Sequence, residues 1–185
     1  MLKNRRRLAF FPCGCDKGRG SGALGTWLAQ RAGSPSRDNF GGTSRAIESE
    51  YEAFLKAWTE DPVGAKPVLV RYRELLSALP GVELSTKCRP GVSFSLRARA
   101  AAQQKRELFV MVDVVDDEPE NRWLSVCFYN DLVTDPEEKG DWAPEGLNGE
   151  DACCFNYDEA DEAQEQYIAD RLREAAANAG KPGAK

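Results

Sequence analysis

Val82-Glu83-Leu84-Ser85-Thr86-Lys87, then Arg89-Pro90-Gly91, then Val92-Ser93-Phe94-Ser95-Leu96-Arg97-Ala98-Arg99: apolar and polar residues alternate with a period of two on either side of a Pro-Gly turn. Successive strand side chains point to opposite faces, so this stretch predicts a half-buried hairpin with one apolar and one polar face. Residues 100–106 read as a short helical or irregular connection. Residues 108–115, Leu-Phe-Val-Met-Val-Asp-Val-Val, are almost wholly apolar and predict a strand covered on both faces. The turn cluster at 116–121 returns the chain into a further strand over 122–130.

Outward from this meander the period changes to 3.6. Upstream, Ile47, Tyr51, Phe54, Leu55 and Trp58 form one helical stripe, with Thr43 or Ser44 as its cap and Asp61-Pro62 as its stop. Pro67 opens a second helix carrying Val68, Tyr72, Leu75, Leu76 and Leu79 on one side, and Pro80-Gly81 closes it. Downstream, residues 131–150 are long, acidic and without periodicity, and so read as a loop. A short strand over 152–157 then leads to a helix capped by Asp158. Its stripe is Ala160, Ala163, Tyr167, Ile168, Leu172, Ala175 and Ala179, ended by Gly180 and Pro182. The order predicts an α+β fold: a mainly antiparallel sheet of about five strands, packed with two N-terminal helices and one C-terminal helix.

A Leu-rich helix, the strands Val82-Glu83-Leu84-Ser85 and Gly91-Val92-Ser93-Phe94-Ser95, a Phe-Val-Met-Val strand and a terminal amphipathic helix together make the chain from about residue 65 to 180 resemble small bacterial α+β domains of unknown function. The resemblance is one of pattern, without a specific motif. It implies the fold class and carries over no activity, cofactor or site residue.

The 185 residues carry a formal charge of −5, unevenly distributed. Residues 1–45 hold nine basic and two acidic side chains, so a Gly/Arg/Ser-rich arm of charge +7 precedes a body of charge −12. We therefore expect a disordered basic arm over 1–45, or an upstream start wrongly assigned, then one α+β domain over 46–180 and a tail at 181–185. The apolar run after Arg7 is broken at Pro12, too short for a signal sequence, and Cys15 lies in a poor setting for lipidation. Residues 20–25 match GxGxxG, but no strand feeds directly into the motif and no βαβ unit follows, so a chance match is the better reading. The acidic body opposes a nucleic-acid role for the arm. No window approaches the ~18 apolar residues needed to span a bilayer.

The chain contains no His. That excludes Ser-His-Asp and Cys-His catalysis, HExxH zinc sites and Cys/His zinc fingers. Of the cysteines, Cys13 and Cys15 form CxC and Cys153-Cys154 are adjacent, where zinc sites favour CxxC pairs. Strand parity sends Cys153 and Cys154 to opposite faces, while Cys88 and Cys127 read as small buried hydrophobes. Without an export signal the thiols are expected to be reduced and the protein cytoplasmic, with no cofactor and no bound metal.

Two constellations remain. The first is the polar hairpin face continued onto the strand over 122–130: Ser85, Lys87, Ser93, Ser95, Arg97, Arg99, Trp123, Ser125 and Tyr129, with Val92, Phe94, Leu96, Leu124, Val126 and Phe128 on the core side. Lys87, Arg97, Arg99, Trp123 and Tyr129 are its candidate ligand-binding residues, because cations and aromatics together suit an anionic ligand or an acidic partner segment. The second is the acidic loop 131–150 and its edges, where Asp131, Asp135, Glu137, Glu138, Asp141, Glu145, Glu150 and Asp151 offer an alternative hydrolytic or divalent-metal chemistry; Trp142 stands among them as a contact or anchor. The expectation is a small non-enzymatic module binding a protein partner or a small anionic ligand.

Overall fold

The computed structural model describes residues 40–103 and 105–181. The stretch up to Asn39, with the 20–25 glycine motif, Cys13 and Cys15, lies outside the described residues. The elements run α1 (Phe40–Ala57), α2 (Ala65–Ala78), β1 (Val82–Arg89), β2 (Ser93–Ala100), β3 (Val110–Val115), β4 (Trp123–Tyr129), β5 (Asp141–Leu147), β6 (Glu150–Tyr157) and α3 (Glu162–Ala179). The strands form one six-stranded sheet in the order β1-β2-β3-β4-β6-β5. Every neighbouring pair is antiparallel, which makes the protein α+β. No described helix is long and apolar enough to cross a membrane.

Cross-strand register fixes the two faces. Phe94, Val114 and Leu124 lie opposite one another, as do Leu96, Val112, Val126 and Phe155. The helices cover this face. The Phe54 ring of α1 stacks on Phe94 at 4.1 Å, Tyr51 lies 6.3 Å from the same ring, and Tyr167 of α3 meets Phe155 edge-on at 5.8 Å. Between α1 and α3, α2 buries Val68, Leu69, Tyr72 and Leu76. Full burial of each large apolar side chain in this layer contributes about 1.5–3 kcal/mol. Arg122 completes the layer: it bonds Asp116 at 2.6 Å and places its guanidinium near the Phe54 and Trp58 rings.

Several boundaries differ from the sequence reading. The sheet has six strands where about five were expected, because β5 lies within residues read as a loop. Pro144 and Gly146 conceal it, and an edge strand tolerates a proline whose missing N–H faces outward. α1 begins at Phe40, so Thr43 and Ser44 fall inside the helix and not at its start. Asp61 follows the end of α1 but serves α2, accepting from the Ala65 and Lys66 amides at 2.8 and 3.1 Å. The cap of α3 is Asp161, which accepts from Ala163 and Gln164, so Asp158 and Ala160 precede the helix. Val92 was expected in the core; it sits in the hairpin turn and is exposed. Gly140 is required by a close approach, since a Cβ there would meet Cys153 Sγ at 2.7 Å and the Phe155 ring at 2.8 Å.

Candidate functional site

With all three helices on one side, no described helix lies on the other face of the sheet. Transverse rows of side chains can be read directly from the register. One row runs Lys87, Ser95, Asp113, Ser125, Asn156 across β1, β2, β3, β4 and β6. It is polar at every position. The next row runs Ser85, Arg97, Met111, Cys127, Cys154 and Asp141. On the other flank, Arg89, Ser93, Val115 and Trp123 share a third.

The centre of this face is sunk below its rim. Ser95 is fully buried and Ser93 nearly so, whereas Lys87 is exposed. Arg89 reaches across to donate to Ser93 Oγ at 2.8 Å and lies 3.5 Å from Asp113 Oδ2. Among the described residues Arg97 donates one hydrogen bond, to the Met111 sulfur at 3.8 Å. Ser95 Oγ, Asp113 Oδ1, Asn156 Oδ1 and the Nε atoms of Arg89 and Arg97 are buried without a hydrogen-bond partner of good geometry. Burial pushes the Asp113 carboxyl above its ordinary value, against the lowering effects of the Ser95 hydroxyl and of the Arg89 and Arg97 charges.

The five residues singled out by parity all belong to this face but do not converge. Arg97 lies in the row beside the centre and makes no salt bridge among the described residues. Lys87 stands at the β1 edge. Arg99 is paired with Glu83 at 2.8 Å on the exposed rim. Trp123 is half-buried at the start of β4. Tyr129, six residues on, lies at the far end of the same strand, roughly 20 Å away at about 3.3 Å per residue. Tyr129 is buried, with the Arg106 guanidinium 4.1 Å over its ring and its hydroxyl accepting from Asn148. Arg89, Asp113 and Asn156 were missed. Asp113 had a signal: it is the one charged residue in the apolar run 108–115, and an unpaired charge in a buried strand calls for a reason.

The carboxylates of 131–150 do not form a site. Asp131 and Glu150 both bind Arg106, at 2.8 and 2.5 Å. Asp135 accepts from the Tyr167 hydroxyl at 2.6 Å and from the Gly140 and Lys139 amides. Burial pushes its carboxyl up, but these hydrogen bonds outweigh burial and hold it below the ordinary value. Glu137 pairs with Lys139, and Asp151 accepts from the Glu145 amide. Among the described residues no three His, Cys, Asp or Glu side chains gather to hold a metal. Trp142, on the edge strand β5, is 63 % exposed and anchors nothing.

The cysteines correct another expectation. Cys153 and Cys154 do fall on opposite faces, opposite Phe128 and Cys127 respectively. Cys127 and Cys154 are joined by a disulfide across β4 and β6 on the helix-free face, so they are not reduced thiols. Cys88, read as a buried hydrophobe, is exposed on β1, beyond which no described strand lies, and Cys153 is a buried free thiol.

Comparison of the chain with protein-family models, with curated proteins and with solved structures returns no match.

Proposed function

We propose that this protein is a binding module whose helix-free sheet face takes up an anionic group, carried by a small ligand or by an acidic segment of a protein partner. One observation carries the reading. Towards the centre of the face Lys87, Arg89 and Arg97 lie with one carboxylate, Asp113, while Glu83 is paired with Arg99 at the β1 edge and Asp141 lies at the β5 end; among the described residues Arg97 makes no salt bridge. A guanidinium fork on a rigid strand, with hydroxyls beside it, offers fixed donors to a carboxylate or phosphate at little ordering cost. Trp123 borders the same patch and supplies a flat apolar surface next to the charge.

The test is calorimetric titration with inorganic phosphate, a tricarboxylate and an oligoglutamate peptide, on the parent and on the double variant Arg97→Ala, Trp123→Ala. At least one anion is expected to bind the parent and to bind the variant at least about tenfold more weakly, since a charge-assisted hydrogen bond contributes about 1.5–3 kcal/mol. Preference for the peptide assigns the face to a protein partner; preference for the small anions assigns it to a ligand. Equal binding by parent and variant, or no binding of any of the three, overturns the reading.

A further inference from the structure

The two edges of the sheet are built differently. β5 is blunted: its pairing with β6 is interrupted between Ala143 and Leu147, Pro144 removes a donor, and Glu145 adopts a positive φ of 55°. Such interruptions protect an edge from other strands. β1 has none of them. All eight of its residues pair in unbroken register with β2, from Val82 opposite Ala100 to Arg89 opposite Ser93.

Which backbone groups of β1 point outward follows from the hydrogen bonds at its ends. Gly81 O accepts from Ala101 N and Arg89 O accepts from Val92 N, so the odd-numbered residues face β2. On the other side of β2, Val92 O accepts from Asp116 N, which gives β2 the complementary alternation. The N–H and C=O groups of Leu84, Thr86 and Cys88 therefore face away from the sheet, and no described backbone group meets them.

We propose that β1 pairs antiparallel with β1 of a second copy of this chain, joining two sheets into one. Charge selects the partner and the register. A two-fold axis through Ser85 sets Glu83 opposite Lys87 of the second copy, and Lys87 opposite its Glu83, on the helix-free face. Leu84 then meets Thr86, and Val82 meets Cys88, on the helix side. The outward N–H and C=O groups belong to these latter pairs, so they exchange hydrogen bonds. The charged residues occupy the intervening pairs, where side chains lie closer together. A one-residue slip would turn apolar side chains onto the polar face and is disfavoured. Glu83 keeps Arg99 on its inner side and gains Lys87 on its outer side, leaving Arg97 and Arg89 to the anion site.

The experiment is sedimentation velocity on the full chain, without added anions, at concentrations up to roughly 100 µM. A concentration-dependent dimer is expected; a monomer throughout overturns the proposal. Glu83→Lys and Lys87→Glu are each expected to weaken the dimer by about tenfold, by placing like charges opposite each other. The double exchange, which restores Glu-Lys pairs, is expected to recover most of the loss relative to Glu83→Lys. Thr86→Pro removes an outward N–H, together with the Thr86 hydroxyl that donates to Glu50, and is expected to abolish the dimer. A dimer indifferent to the charge exchange places the contact elsewhere and overturns the assignment, and that readout stands even where the proline variant folds poorly. Arg97→Ala with Trp123→Ala is expected to dimerise like the parent, which separates this inference from the anion site.

Discussion

Two charged residues show how burial and partners decide what a side chain does. Arg106 is almost wholly covered, stacked on Tyr129 and bonded to Asp131 and Glu150, and these carboxylates hold its guanidinium firmly in the charged form. It is a tie between the end of β4 and the β5–β6 hairpin. Asp113 is the opposite case: its ionised form is disfavoured by burial more than it is favoured by Ser95, Arg89 and Arg97. A carboxyl whose folded-state pKa is raised contributes stability below that pKa, and the contribution is lost as pH rises through it. Asp113→Asn, which keeps the shape and removes the charge, is therefore expected to melt no lower than the parent at neutral pH. As pH falls toward about 4, the ordinary carboxylate range, the parent is expected to gain on the variant. Thermal melts of the two proteins across that range are the check. A parent that loses ground to the variant on acidification would show that the ionised form is the favoured one.

At the scale of elements, the sequence announced what periodicity controls and concealed what single side chains control. The hairpin, its two faces, the stripe of α2 and that of α3 from Tyr167 onward follow from apolar spacing, because burying one face is the dominant local force, whereas Ala160 precedes α3 and Ala163 is exposed. The candidate face followed too, since parity alone put Lys87, Arg97 and Trp123 on it. How deep each residue lies did not follow, because that depends on neighbours several strands away: Tyr129 is sunk beneath Arg106, and Arg99 is drawn off by Glu83. The ends of elements were equally obscure. Asp61 looked like the end of one helix and instead serves the start of the next, its carboxylate accepting from two amides that α2 cannot satisfy internally, three residues ahead of the Gly64 N-cap. Its replacement by alanine leaves those donors to water. Asp61→Ala is expected to lower the unfolding free energy by about 1 kcal/mol, and Asp161→Ala at the start of α3 by a similar amount. Urea denaturation measures both, and a midpoint unchanged by either substitution would deny the cap its role.

The molecule as a whole is two layers deep, helices on one side of the sheet and none described on the other. The apolar core therefore holds the strands together from one face, where Phe128, Phe155 and Tyr167 knit β4, β6 and α3. On the face that no described helix covers, the Cys127–Cys154 disulfide crosses the same β4–β6 seam. That seam is where the long 130–149 excursion returns to the sheet, with β5 lying outside it. A bridge between residues 27 apart restricts the unfolded chain, and loop-closure entropy for that length corresponds to about 3.5 kcal/mol. Cys127→Ala with Cys154→Ala is expected to lower the unfolding free energy by roughly 3 kcal/mol, while the helix-side contacts keep the native fold. Dithiothreitol is expected to shift the parent's urea midpoint toward that of the variant and to leave the variant's unchanged. Peptide mapping under non-reducing conditions reads the bridge directly, as a linked pair of peptides containing Cys127 and Cys154. A parent whose midpoint is insensitive to reductant would mean that the helix-covered face alone secures this seam.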